Sequence, residues 1–184
     1  MKRLPTLLAH VMRAALFTLV GVVFFVHWIL TDPTHGGSKS IDEWNFVLGF
    51  SAILLLLAFA VPLFAQLVGG KTVFRVSLVP AAGLVFASLS NVLEDGLGMD
   101  RAFFGVVLGT GSTVLGLLVL TAVTAFGGRG GYRLLALIPA GTMAAVIFYV
   151  IAGGILMLTT WLAAAALALA LPTRALARTS LTTR

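Results

Sequence analysis

The sequence predicts an all-α integral membrane protein, a bundle of six transmembrane helices whose N- and C-termini both lie in the cytoplasm. Three observations predict this fold: an excess of apolar residues, apolar stretches long enough to cross a bilayer, and a one-sided distribution of Lys and Arg between them. Of the 184 residues, 60% are hydrophobic and 10% are charged, and the mean hydropathy is +1.11. One soluble core cannot bury that much apolar surface, so lipid is the expected solvent.

Apolar stretches of the length needed to cross a bilayer occur five times. A helix rises 1.5 Å per residue and the hydrocarbon core is about 30 Å thick, so a span needs roughly 17 to 25 mostly apolar residues. The stretches are Ala14 to Leu30, Trp44 to Val68, Val76 to Leu93, Ala102 to Phe126, and Leu134 to Leu171. The first follows Lys2 and Arg3 as in a signal peptide, but no small-x-small cleavage site closes it, so we expect a retained helix.

The last stretch is too long for a single helix. Its 38 residues would form a rod of about 57 Å, nearly twice the hydrocarbon thickness. Gly153 and Gly154 mark the expected turn, because adjacent glycines permit a tight reversal. A turn there leaves Leu134 to Ala152 and Ile155 to Leu171 as two short spans. The alternative is one tilted or broken helix, which gives five spans.

The distribution of charge favours six spans over five. Cytoplasmic loops are enriched in Lys and Arg, and six spans with a cytoplasmic N-terminus place ten of the twelve cations inside. The outer loops keep Lys39 and Arg101, together with all six acidic residues: Asp32, Asp42, Glu43, Glu94, Asp95 and Asp100. Five spans would instead move the arginines of the C-terminal tail outside. Arginine outnumbers lysine nine to three, a bias typical of GC-rich bacterial genomes, so a bacterial inner (plasma) membrane is expected.

The chain is predicted to form one transmembrane domain, 1–184, with a short extra segment at each end. Residues 1–13 form an amphipathic cytoplasmic approach segment, because apolar residues recur there at helical spacing. Residues 172–184 form a basic cytoplasmic tail. Loops 69–75 and 127–133 share the pattern Gly-Gly-cation-x-x-aromatic-Arg. The shared pattern predicts either a parallel repeat of two hairpins, spans 2–3 and 4–5, as in some transporters, or convergent loop chemistry.

Polar residues gather at the predicted outer end of the third span. Ser88, Asn91 and Asp95 share a helical face, and Glu94 is adjacent. Ionisable groups inside a span are costly, so their presence needs a reason. If this span runs one turn further outward, His27, Asn91, Glu94 and Asp95 form a proton or cation site. The alternative is that both acids are solvated where the helix emerges, with His27 in the interfacial aromatic belt.

The fourth span carries a strip of small residues. Small side chains let a second backbone approach closely, so the strip predicts helix packing. That packing occurs either inside the bundle or against a second copy or another membrane protein. The residues of the strip are Gly105, Gly109, Thr113 and Gly116.

No pattern for catalysis, cofactor binding or nucleic-acid binding is complete. The absence of cysteine excludes disulfides and thiolate chemistry, and no serine lies in the Gly-x-Ser-x-Gly context of a hydrolase. A haem held by two histidines is not expected, because His27 is the one histidine inside a span. The net charge of +6 comes from short loops rather than a basic face. We therefore expect no cofactor, no metal, no nucleic-acid partner and no enzymatic activity.

Two functions remain open. The favoured one is a small transporter or permease-like component, which the loop repeat, the polar end of the third span and the kinks expected at Pro62, Pro80 and Pro139 indicate. The alternative is a structural or assembly partner of another membrane protein, which the strip of small residues indicates. Both interpretations share one partner, the lipid bilayer.

Overall fold

The all-α class is confirmed by a computed structural model that describes residues 3–31, 44–127 and 130–181. The described residues contain helices and short turns but no strand. The six α-helices are α1 (Arg3–Thr31), α2 (Trp44–Val68), α3 (Lys71–Asn91), α4 (Phe103–Gly127), α5 (Leu137–Ile147) and α6 (Gly154–Leu181). Tighter or wider helical turns join them, namely π-helices at Val92–Gly96 and Tyr149–Gly153 and 3₁₀-helices at Asp100–Ala102 and Gly130–Ala136.

Five helical segments are long and apolar enough to cross a membrane. They are Leu7–Thr31, Trp44–Val68, Lys71–Gly96, Asp100–Gly127 and Ile151–Ala170. One further segment, Arg133–Ile147, lies between the last two of these and is apolar but shorter. The described residues therefore contain six helical segments, five of which have full spanning length.

The 3₁₀-helix Gly130–Ala136 leads directly into α5 and lengthens this shorter segment. The 7 residues of Gly130–Ala136 rise about 2.0 Å each, or about 14 Å in total. The 11 residues of α5 add about 16 Å at 1.5 Å per residue. Laid end to end, the two parts measure about 30 Å.

The chain reverses direction between α5 and α6, as predicted for the long apolar stretch. A methyl group placed on Gly153 would lie 2.8 Å from the carbonyl oxygen of Ala145, whereas a straight helix holds residues eight apart at about 12 Å. Further from the turn, Gly141 faces Thr160. The reversal lies in the π-helical turn Tyr149–Gly153, so the predicted glycine pair ends the turn rather than forming its centre.

The six helices form a closed ring in chain order. Each helix packs against the next, and α6 returns to pack against α1. The α1–α6 pair is antiparallel, because Phe17 contacts Trp161 while Trp28, further along α1, contacts the earlier Tyr149. Neighbouring helices alternate in direction around the ring, so the start of α1 and the end of α6 lie at the same end of the bundle.

Charge separates between the two ends of the ring. One end, the basic end, holds Arg13, Lys71, Arg75 and Arg133. The opposite end, the acidic end, holds Glu94, Asp95, Asp100 and the single described cation on that side, Arg101. The predicted outer loop 32–43 and Arg129 lie outside the described residues. Within the described part, the charge asymmetry inferred from the sequence is a property of the fold.

Large apolar side chains fill the axis of the ring and also cover its outside. The largest fully buried ones are Trp161, Phe17, Phe64, Leu57, Leu117 and Leu120. Large residues on the outside remain exposed, for example Phe126 at 87%. Exposed apolar surface of this extent is typical of a protein that contacts lipid or other proteins.

The predicted approach segment continues into the first span without a break. From Arg3 onward it belongs to α1, a single helix of 29 residues, because no glycine or proline interrupts positions 6–20. Leu7, Leu8, Val11 and Met12 are exposed along it. At the other end of the chain, α6 continues to Leu181. Residues 1–2 and 182–184 lie outside the described part.

The predicted strip on α4 packs against α3 inside the bundle. Thr113 Oγ1 donates a hydrogen bond to the Gly109 carbonyl oxygen at 2.8 Å and lies 3.4 Å from that of Pro80. The α3 residues that face the strip are Ser90 and Phe86 at Gly105, Ala87 and Gly83 at Gly109, and Pro80 at Gly116. Of the two predicted roles of the strip, the structure therefore describes the one inside the bundle.

Helices α3 and α4 approach each other closely at Gly83 and Gly109. A methyl group on Gly109 would lie 2.6 Å from the Ala87 backbone nitrogen and 2.8 Å from the Gly83 oxygen. A methyl group on Gly83 would lie 2.7 Å from the Gly109 oxygen. Because these neighbours are backbone atoms, a side chain at either position would force the two helices apart.

The replacement Gly109→Ala is expected to lower the free energy of unfolding by about 1–3 kcal/mol, the usual effect of overpacking a well-packed interface. Denaturation of the purified protein in detergent micelles measures it. Gly111→Ala is the matched control, since a methyl group there meets no atom within 4 Å, and it should leave stability unchanged or raise it by up to about 1 kcal/mol, because alanine is the better helix former. Equal stability of the two variants would contradict the described α3–α4 crossing.

Candidate functional site

His27 lies at the acidic end of α1 among aromatic residues of α2 and of the α5–α6 turn. Its ring centroid is 5.2 Å from that of Phe46 and 6.0 Å from that of Phe50. Its Nδ1 is 3.5 Å from the hydroxyl of Tyr149, which lies 3.4 Å from Thr31 Oγ1. Because an imidazole and a hydroxyl can each donate or accept, these three side chains can pass or hold a proton.

Trp28, next to His27, anchors the reversal between α5 and α6. Its indole Nε1 donates a hydrogen bond of 2.8 Å to the carbonyl oxygen of Tyr149, within the π-helical turn. The indole ring packs on Gly154, where a methyl group would lie 2.5 Å from the ring atoms Cδ2 and Cε3. Gly154 thus makes room for the ring, and the indole adds a hydrogen bond between α1 and the turn.

Asn91 belongs to a buried hydrogen-bonded group between α2 and α3. Ser51 Oγ donates to the Ser88 carbonyl oxygen at 3.3 Å, and Ser88 Oγ donates back to the Ser51 carbonyl oxygen at 3.0 Å. Asn91 Nδ2 donates to Ser51 Oγ at 3.2 Å. All three side chains are buried, so this group holds α2 and α3 together.

Glu94 and Asp95 lie in the π-helical turn Val92–Gly96, which directly continues α3. Helical structure therefore extends past Leu93, the predicted end of the third span, and this extension was the condition for the predicted proton or cation site. Both carboxylates are partly exposed. No group of three or more His, Asp or Glu side chains suited to a metal ion occurs among the described residues.

The members of the predicted proton or cation site have different neighbours. His27 contacts the α2 face that carries Phe46, Gly49 and Phe50. Asn91 instead contacts Ser51, which belongs to the α2 face turned toward α3. Helix α2 thus stands between His27 and Asn91. The site formed by His27, Asn91, Glu94 and Asp95 stays a prediction.

A second candidate site, the central chamber, lies near the middle of the bundle. Trp161 is 1% exposed, and its indole Nε1 has no hydrogen-bond partner. A buried donor without an acceptor costs about 1–3 kcal/mol. The chamber is defined by Trp161 and its neighbours Val61, Phe64, Leu117, Leu120, Ile138, Pro139 and Thr142. These side chains leave no room for a water molecule between them.

Thr142 is the second polar group of the central chamber. Its hydroxyl donates to the Ile138 carbonyl oxygen at 2.8 Å, which leaves the lone pairs of the hydroxyl oxygen available. Toward the basic end, Thr124 Oγ1 and His10 Nδ1 are also buried without a hydrogen-bond partner. Polar atoms without protein partners therefore occur on three helices, α1, α4 and α6.

Sequence reasoning missed Trp28, Thr31, Tyr149, Trp161 and Thr142. Trp28 and Tyr149 are 121 residues apart, so no local pattern links them. Trp161 stands in an alanine- and leucine-rich run that reads as an ordinary span. Its isolation appears once the ring closes and Phe17 packs against it.

Replacement of Trp28 by Phe should destabilise the protein by about 0.5–1.5 kcal/mol, because it removes the hydrogen bond from the indole to the Tyr149 carbonyl oxygen. The midpoint of thermal unfolding in detergent micelles measures this effect. Trp44→Phe serves as the matched control, since that indole is exposed and has no such hydrogen bond. A Trp28→Phe protein as stable as the Trp44→Phe protein would show that the indole does not hold the turn.

Comparison of this chain with protein-family models, with curated proteins and with solved structures finds no match. The comparisons therefore assign no family. Function has to be inferred from the residues and contacts described above.

Proposed function

We propose that the chain crosses a bacterial inner (plasma) membrane six times, with the basic end in the cytoplasm. The separation of cations from acids between the two ends of the bundle supports this orientation. Arg75 and Glu94 are 19 residues apart on one helical segment, or about 28 Å. That separation is close to the hydrocarbon thickness, so both charges reach the bilayer surfaces.

Within that membrane, the function that the geometry supports best is a small transporter or permease-like component. The observation that carries the proposal is the discontinuous segment between α4 and α6. In it a 3₁₀-helix, the short α5 with Pro139, and a π-helical turn follow one another. Discontinuous spans border the substrate sites of many transporters, because their irregular backbone can move and can expose polar groups.

The position of α5 connects its irregular backbone to the central chamber. Pro139 and Thr142 line the chamber together with Trp161, while Gly141 packs on Thr160 of α6. A shift of α5 away from α6 would therefore open the chamber. Small movements of this kind between packed helices are a common basis of gating.

Polar side chains occur at three depths along the bundle. Thr124 and His10 lie toward the basic end, and Trp161 with Thr142 lies in the middle. His27 lies at the acidic end, in contact with Tyr149. A route that passes these groups in order would offer a solute hydrogen-bond partners along an otherwise apolar bundle, which supports the proposed transport.

Fixing α5 to α6 is expected to abolish transport reversibly. In the variant Gly141→Cys/Thr160→Cys, a disulfide is feasible because a Cβ on Gly141 would lie 3.3 Å from the Thr160 Cβ, close to the usual separation of about 3.8 Å. Uptake of glycerol, urea, sodium ions and protons into reconstituted vesicles measures transport. Oxidation should reduce any protein-dependent uptake at least about tenfold, and reduction should restore it.

Two controls accompany this experiment. The sequence contains no cysteine, so no native thiol can form a competing disulfide. The controls are the double variant kept reduced and Thr160→Cys alone, neither of which can form the cross-link. Protein-dependent uptake that survives complete cross-linking would contradict a moving α5. In the same vesicles, equal sodium and proton uptake by the wild-type protein and by Glu94→Gln/Asp95→Asn would exclude the proposed acidic-end site.

The second candidate function is a structural or assembly partner of another membrane protein. The filled axis of the ring favours it, because Phe17, Phe64 and Trp161 are fully buried and link α1, α2 and α6 into one packed unit. A rigid bundle of this kind suits a scaffold, whereas a transporter must loosen it.

Under this second function, mild detergent extraction from the native membrane should recover a companion membrane protein at fixed stoichiometry. Quantitative mass spectrometry of the purified material measures the ratio. An unrelated membrane protein extracted in the same way provides the background. Recovery of this chain alone in several mild detergents would count against the partner function.

A further inference from the structure

The two inner tryptophans of the bundle differ in one respect. The indole nitrogen of Trp28 donates to the Tyr149 carbonyl oxygen, whereas that of Trp161 is buried without an acceptor. The fold therefore satisfies one buried indole and leaves the other unpaired. An unpaired buried donor in a native structure calls for an explanation, such as a ligand that supplies the acceptor.

We infer that the central chamber binds a small uncharged solute that accepts a hydrogen bond from Trp161 Nε1. This inference rests on the proposed transport function and deepens it by assigning the site and the class of substrate. The site lies near the middle of the bundle, at the depth where transporters bind their substrates.

The lining of the chamber defines the chemistry of the solute. Trp161 supplies a donor, and the Thr142 hydroxyl oxygen can accept a hydrogen bond in return. The other lining side chains are apolar, and none is charged. An ion would lose its hydration there without a compensating charge. A solute with an oxygen acceptor and an adjacent O–H or N–H, such as a small alcohol or amide, satisfies both polar groups.

Entry of the solute requires the chamber to widen. The lining residues come from α2, α4, α5 and α6, so displacement of one helix enlarges the space. Helix α5 contributes Ile138, Pro139 and Thr142, and it is the least regular of the four. The described conformation is thus the one closed to solute, in which Trp161 Nε1 has no acceptor.

The experiment uses the full chain in vesicles with glycerol and urea as probes. Trp161→Phe keeps an aromatic ring but removes the donor, and it should reduce uptake of the transported probe about fivefold to tenfold, as expected for one lost hydrogen bond. Thr142→Val should reduce it to a similar extent. Trp44→Phe is the control, because that indole lies at the acidic end against Gly96, and its uptake should match the wild type.

A second measurement observes the Trp161 indole directly in the wild-type protein. In the ¹⁵N-labelled wild-type protein, the Trp161 indole N–H resonance should shift on addition of the transported probe, while the resonance of Trp28, already hydrogen bonded, should stay in place. Trp161→Phe identifies the resonance by its loss.

Each outcome decides between the inference and the proposed function. Uptake of glycerol or urea that falls in Trp161→Phe supports both. Neutral-solute uptake that Trp161→Phe and Thr142→Val leave unchanged overturns the inference but keeps the transporter. Uptake of sodium ions or protons without uptake of glycerol or urea has the same meaning. No protein-dependent uptake of any of the four overturns the transport function and the inference with it.

Discussion

The contact between Trp28 and the turn that follows α5 ties the last two helices of the ring to the first. This turn has a wide helical geometry, and its Tyr149 carbonyl oxygen accepts a hydrogen bond of 2.8 Å from the Trp28 indole of the neighbouring helix. The same indole packs on Gly154. This contact adds to the packing of α6 against α1, which also includes Phe17 on Trp161.

Two further kinds of contact complete the ring. At Gly83 and Gly109, α3 and α4 approach so closely that backbone atoms fill the space of a side chain. Between α2 and α3, Ser51 and Ser88 exchange hydrogen bonds with each other's carbonyl oxygens. Close packing and interhelical hydrogen bonds are the contacts that hold helices together in lipid, where no hydrophobic driving force acts between them. They leave α5 as the least regular member of the bundle.

The acidic end and the central chamber have complementary chemistry. The acidic end combines carboxylates with the His27, Tyr149 and Thr31 side chains, whereas the chamber holds a donor and an acceptor among apolar groups. The first suits charged species at the membrane surface, and the second suits an uncharged solute within the bundle. The proposed transporter would use the movement of α5 to connect the chamber with one end or the other.

The sequence by itself determined the helical class, which apolar stretches form the long helices, the reversal inside the last apolar stretch and the separation of charge between the two ends. These features follow from local periodicity, segment length and the position of charged residues, which need no knowledge of neighbours. The strip at Gly109 was also readable, because small residues four apart share a face. The tertiary structure alone decided which helix covers that strip, why Trp28 matters and why Trp161 is unpaired. These properties depend on contacts between residues far apart in the chain, and no spacing rule encodes which faces meet once the ring closes.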